Sequence, residues 1–156
     1  DVEFKPEAVI KMLITKKDIV LTPYRVKIPE DPTSVKYTVD FEDEKKIALL
    51  PGDLVEIKQG PAGLMLIHRR VFETLIEGYP RLKMKNKNNK YLYNFWDTTF
   101  DLDEGLWRGE DISFCNLARK ADFKIYANIK SETTHHGNFG WKGKFGDSLK
   151  KQMHNV

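Results

Sequence analysis

Apolar and polar positions alternate along this chain in short blocks, some with helical and some with strand spacing. In residues 5–16, KPEAVIKMLITK, the positions Ala8, Val9, Met12 and Leu13 form one helical stripe. Pro6 and Glu7 suit the first turn of that helix, one by its fixed φ and the other by its charge. Asp18-Ile19-Val20-Leu21 reads as a short buried strand. Residues 23–46 are polar and proline-punctuated, with an edge strand predicted at Val35–Val39. Leu54–Lys58 and Gly63–His68 read as strands parted by the turn residues Gly60-Pro61. Residues 69–77 predict a helix with Val71, Phe72 and Leu75 on one face and Gly78 past its end. The lysine- and asparagine-rich run KMKNKNNK, 83–90, reads as a mobile surface loop, and Tyr91–Trp96 as an aromatic strand. A helix at Asp111–Lys120 turns Ile112, Cys115, Leu117 and Ala118 inward; a strand at Phe123–Ala127 and a terminal helix at Ser148–His154 complete the pattern. Helices and strands interleave without internal repeats, which predicts an α/β fold with a mixed sheet flanked by helices.

Length and charge narrow the classes. At 156 residues the chain matches one domain, 1–156, since domains commonly run to about 100–150 residues. With 26 basic and 23 acidic side chains the surface is mixed, which argues against a dedicated nucleic-acid binder. The one cysteine, Cys115, excludes an intramolecular disulfide and fits a reducing, cytoplasmic setting; inside a helix it reads as inert packing. No run approaches the ~20 apolar residues of a membrane helix. The chain begins with Asp1 rather than Met, as a fragment or processed product does.

The stretch from Trp107 to Gly137 gathers the most chemistry. Glu110-Asp111 opens a helix, where a carboxylate serves either as a cap or as an acceptor for the proton of a hydroxyl nucleophile. His135-His136 precede Gly137, and neighbours on an extended segment point to opposite sides, so one can reach a metal or phosphate while the other packs. Asp1 and Glu3 form an acidic pair at i, i+2, either a solvated end or a site for magnesium or manganese. Gly60-Pro61-Ala62-Gly63 is a turn that also lets a ligand approach the backbone. The aromatics of 91–107 read mostly as core, with one or two available to stack on a sugar ring.

Together these residues resemble the C-terminal catalytic half of a GT-A glycosyltransferase of the broad family-2-like group. Asp1-Val2-Glu3-Phe4-Lys5-Pro6-Glu7 is similar to the end of that group's Asp-x-Asp metal motif, with Asp1 as its last aspartate. Residues 62–72, AGLMLIHRRVF, resemble its glycine-containing strand and basic helix start. The most specific block is Gly109-Glu110-Asp111-Ile112-Ser113-Phe114-Cys115 through His135-His136-Gly137. The resemblance implies metal-dependent, inverting transfer from a nucleotide-diphosphate sugar to an acceptor hydroxyl of a glycan or another molecule. Asp111 would be the base, with Glu110 beside it. Asp1 with His135 or His136 would hold Mn²⁺ or Mg²⁺, and Ala62, Gly63, Trp107 and Gly109 would line the substrate. It also implies an N-terminal nucleotide-binding segment of β-α units, so association with that missing half or with a second copy is expected. The alternative is a non-catalytic carbohydrate-binding or scaffolding domain on the same fold.

Overall fold

A computed structural model describes residues 1–31, 33–102 and 105–153. In chain order the elements are β1 (Val2–Phe4), α1 (Pro6–Ile14), β2 (Ile19–Leu21), β3 (Leu49–Leu50), β4 (Leu54–Ile57), β5 (Met65–Ile67) and α2 (Arg69–Gly78). Next come β6 (Lys83–Lys85), β7 (Tyr91–Tyr93), β8 (Thr99–Asp101), β9 (Leu106–Arg108), α3 (Glu110–Lys120), β10 (Ile125–Asn128), β11 (Glu132–His136), β12 (Gly140–Lys144) and α4 (Phe145–Met153).

The main sheet has the order β3-β4-β10-β2-β5; β10 and β2 run parallel and the other pairs antiparallel, so the α/β fold carries a mixed sheet. Its central strands are buried on both faces, which explains why they read as unbroken apolar runs rather than alternating ones. Ile19, Leu21, Val55, Ile57, Ile125 and Ala127 face the helices α2, α3 and α4 through Val71, Leu75, Phe114, Cys115, Ala118 and Leu149. Val20, Leu54 and Tyr126 face the opposite way, onto Ala8 and Met12 of α1. Strand alternation thus makes a three-layer stack in which a one-residue slip would exchange the two cores. A smaller antiparallel sheet, β1-β11-β12, continues from the main one; the Asn128 side chain accepts from the Lys130 and Ser131 amides and turns the chain into it.

Several expectations are corrected. Val35–Val39 is no strand: the region makes only isolated bridges, Arg25 to Tyr37 and Asp40 to Gln59, because its partial alternation meets no strand that continues the pairing. The lysine-rich run is no loose loop but the β6–β7 hairpin. The Asn86 carboxamide accepts from the Asn88 and Lys90 amides, and Lys83 and Lys85 lie over the Tyr91 ring at 4.4 and 5.1 Å. On α1, Leu13 is exposed while Ala8 and Met12 are buried, so the inward stripe is narrower than predicted. The terminal helix starts earlier, at Phe145, and His154 lies outside the described residues. No helix among the described residues is long and apolar enough to cross a membrane.

Phe114 anchors the helical layer. It is fully buried, stacked on Trp96 at 4.1 Å and tilted against Phe72 at 6.2 Å. Replacing it with alanine is expected to lower unfolding free energy by about 3–5 kcal/mol in urea titration, the usual loss for a buried phenylalanine. Substituting exposed Leu13 should change it by under about 0.5 kcal/mol.

Candidate active site

The segment following β4 does not loop into solvent. It is pressed between the sheet and α3. A Cβ on Gly60 would stand 3.0 and 3.1 Å from side-chain atoms of Leu21 and Ile57, while the Cys115 thiol reaches the Gly60 carbonyl at 3.6 Å from above. Burial pushes that thiol up to about 11, so Cys115 stays protonated and serves as packing. The segment emerges at the start of α3, where the Ala62 N–H donates to Asp111 Oδ2 at 3.0 Å. Asp111 therefore binds across to another element instead of capping its own helix, whose N-cap, Gly109, has no side chain to offer.

Gly63, one residue on, is the close approach predicted for this turn, but its neighbour is protein. A Cβ there would lie 2.6 Å from a ring carbon of Tyr24 and 3.0 Å from Val2. Tyr24 leaves the end of β2 through Thr22-Pro23 and packs its ring on that of His135, centroids 4.5 Å apart. His135 lies on β11 opposite Val2 of β1. Its Nδ1 is 2.8 Å from the Arg25 carbonyl, which can only accept, so Nδ1 carries the proton. Its Nε2 lies 3.4 Å from Asp1 Oδ1, and the other oxygen of Asp1 is bound by Lys27. A continuous wall thus runs from Asp111 through Ala62-Gly63 and Tyr24 to His135 and Asp1.

Burial shifts the titrating groups along this wall. It raises the Asp111 carboxyl above its usual range; Glu110 adds to the rise and the Ala62 N–H opposes it. It lowers the His135 imidazole, against the Arg25 carbonyl and with help from Lys27, so the ring is neutral at physiological pH. It raises the Tyr24 phenol, with Asp111 contributing, so the hydroxyl keeps its proton. A neutral imidazole then aims the Nε2 lone pair at a carboxylate oxygen, an arrangement that a cation between them relieves. Magnesium takes one or two protein carboxylates plus substrate phosphates at about 2.0–2.1 Å, and two neighbouring ligands of such an ion lie roughly 3 Å apart. Asp1 supplies one such carboxylate, shared with Lys27, while His135 supplies an imidazole, which lies outside that donor set; no group of three His, Cys, Asp or Glu occurs among the described residues.

The other expected residues lie apart from this wall or at its rim. His136 points to the far face of β11, where Nε2 meets Glu3 Oε2 at 2.7 Å, so it does not join Asp1 and His135. Glu110 is exposed beside Asp111 and acts there through its charge. Trp107 is 72% exposed on β9, its ring edge-on to Phe100 at 5.3 Å. Sequence reasoning missed Tyr24 and Lys27; Tyr24's place directly after a buried strand was the available signal, since ligands of open α/β sheets gather at strand ends.

No protein-family model and no curated protein matches the chain. Among solved structures, the crystal structure of A197 from STIV resembles it at 21% identity and a TM-score of 0.43. That likeness covers 88% of this chain and 54% of the other, so the chain spans about half of A197's length.

The raised Asp111 carboxyl has a consequence for stability. The unfolded chain releases this proton at the ordinary aspartate value and the folded chain only at a higher pH. Its contribution is therefore greatest below the ordinary value and is lost as pH rises through the raised one. Asp111→Asn keeps an acceptor for Ala62 and removes the charge. Thermal unfolding should show the variant gaining on the wild type from acid to neutral pH; a constant difference across that range is the opposite result.

Proposed function

We propose that this protein is a glycosyltransferase that moves a sugar from a nucleotide-diphosphate donor to an acceptor hydroxyl. The observation that carries the reading is Asp111: a half-buried carboxylate with a raised pKa, fixed by a backbone N–H, on one wall with a neutral imidazole and a second carboxylate. A general base works best when its pKa lies near the working pH, and burial moves Asp111 in that direction.

Asp111 takes the proton of the acceptor hydroxyl as its oxygen bonds to the anomeric carbon and the bond to the diphosphate oxygen breaks. A single displacement of this kind inverts the sugar centre. The hydrogen bond from Ala62 holds one carboxylate oxygen and leaves the other to receive the proton. The protonated Tyr24 hydroxyl keeps a second negative charge away from the base. Trp107 offers a face for a sugar ring. Asp1 and His135 would hold Mn²⁺ or Mg²⁺, which when bound neutralises charge on the departing diphosphate. Lys27, bound to Asp1, lies at the same end and adds positive charge there. The reaction is assigned to the cytoplasm, where the buried thiol of Cys115 stays reduced.

Transfer assays with a panel of nucleoside-diphosphate sugars and manganese test this. Asp111→Asn should lower turnover by about 10²–10⁴-fold, the usual loss of a general base. His135→Ala should abolish the stimulation of transfer by manganese while His136→Ala retains it. Full turnover in Asp111→Asn, or equal loss of manganese stimulation in the two histidine variants, contradicts the assignment.

A further inference from the structure

Asp111 uses one side of α3. The opposite side borders a recess that none of the residues above accounts for. Ser113, Asn116, Leu117 and Lys120 recur at three- and four-residue spacing, which sets them about half a turn round the helix from Asp111. With β8, β9 and the chain just after α2 they enclose an open cleft of about 510 Å³, within the ~300–1,000 Å³ usual for ligand sites. The hairpin forming the outer wall is tied to the helix where the Thr99 and Ser113 hydroxyls meet at 2.8 Å, and its own two strands are clamped by Arg108 pairing with Asp101 at 3.4 Å. The wall is therefore formed before any ligand arrives.

Its lining identifies the ligand class. Tyr79, Phe95 and Phe100 supply flat apolar faces, and Phe100 is 46% exposed. The polar groups are mixed in sign, with Asp97 and Asp101 against Arg81, Arg108 and Lys120, and the amides of Asn94 and Asn116 between them. A dedicated anion site would not place two carboxylates in its wall. A hydrocarbon ligand would strip water from all these groups without replacing it. A sugar satisfies both sets: each hydroxyl donates to a carboxylate or amide oxygen and accepts from an Arg, Lys or amide N–H, while the C–H face of the ring lies on an aromatic. A second recess of about 390 Å³ shares Asp101, Arg108 and Asn116 with the cleft and reaches Asp40, Glu44, Lys58 and Gln59. The two adjoining recesses make up the trough.

We propose that this trough is a carbohydrate subsite, separate from the Asp111 wall, that holds a neutral oligosaccharide. The inference stands on the trough alone and does not require transfer at Asp111. The test is amide chemical-shift mapping on the whole chain titrated with maltohexaose, mannohexaose and chitohexaose, with inorganic phosphate as the anion control. At least one hexasaccharide should shift Ser113, Asn116, Lys120 and the strands β8 and β9. Asn116→Ala and Phe100→Ala should each weaken that binding by about tenfold or more, equivalent to roughly 1.4 kcal/mol. Asp111→Asn should leave the affinity within about twofold, the change expected of a group outside the contact. The wild-type map decides the matter even where a variant fails to fold. The proposal is overturned if no hexasaccharide shifts α3, if the shifts centre on Tyr24, Ala62 and Gly63, or if phosphate moves the same residues and the sugars do not. Binding in a protein without turnover would sink the transferase reading and leave this one standing.

Discussion

The hydrogen bond from the Ala62 amide to Asp111 is the constraint from which the candidate site follows. It exists because the chain after β4 is forced between two packed layers, the sheet beneath and α3 above. Gly60 permits the close fit on Leu21 and Ile57, and Pro61 is buried behind it. From there Ala62 can only emerge beside the first turn of α3, and Gly63 only against the Tyr24 ring. Position, burial and protonation of the carboxylate are thus set by the packing of the main core. A substitution as small as a methyl at residue 63 would have to move Tyr24, and with it the ring of His135.

Desolvation then acts along the wall with opposite effects on acid and base. It raises Asp111 and lowers His135, moving both toward their neutral forms. For the carboxylate that means greater basicity than an exposed aspartate has. For the imidazole it means a free lone pair beside Asp1. The two ends are joined through Tyr24, whose phenol remains protonated between them. The far side of α3 is of another character: its recess is open, mixed in charge and lined by rings. One helix separates the half-buried Asp111 carboxylate from an open recess of mixed charge.

Much of this was legible in the sequence where local pattern carried the information. The central strands read correctly because burial on both faces leaves unbroken apolar runs. Asp111 and the pair His135-His136 stood out because carboxylate and imidazole chemistry is recognisable by residue type, although nothing local chose between the two histidines. What pattern could not reveal were contacts across long separations. Nothing local pairs Ala62 with Asp111, or says that His136 would turn to Glu3 while His135 turned to Tyr24. The hairpin at 83–93 was hidden for a related reason: its strands are short and exposed, and what holds it is an asparagine turn with lysines over a tyrosine ring. Val35–Val39 failed in the other direction, since residual alternation there has no partner strand to pair with.

The central claim is that Asp111 titrates above an ordinary aspartate while bound to the Ala62 amide. The most direct measurement is the pH dependence of the Ala62 amide shift, followed by ¹H–¹⁵N correlation in the wild type and in Asp111→Asn. The account predicts one transition with a midpoint above the usual aspartate value of about 3.9, absent from the variant. An Ala62 amide that does not titrate, or one whose midpoint lies at or below that value, would contradict it.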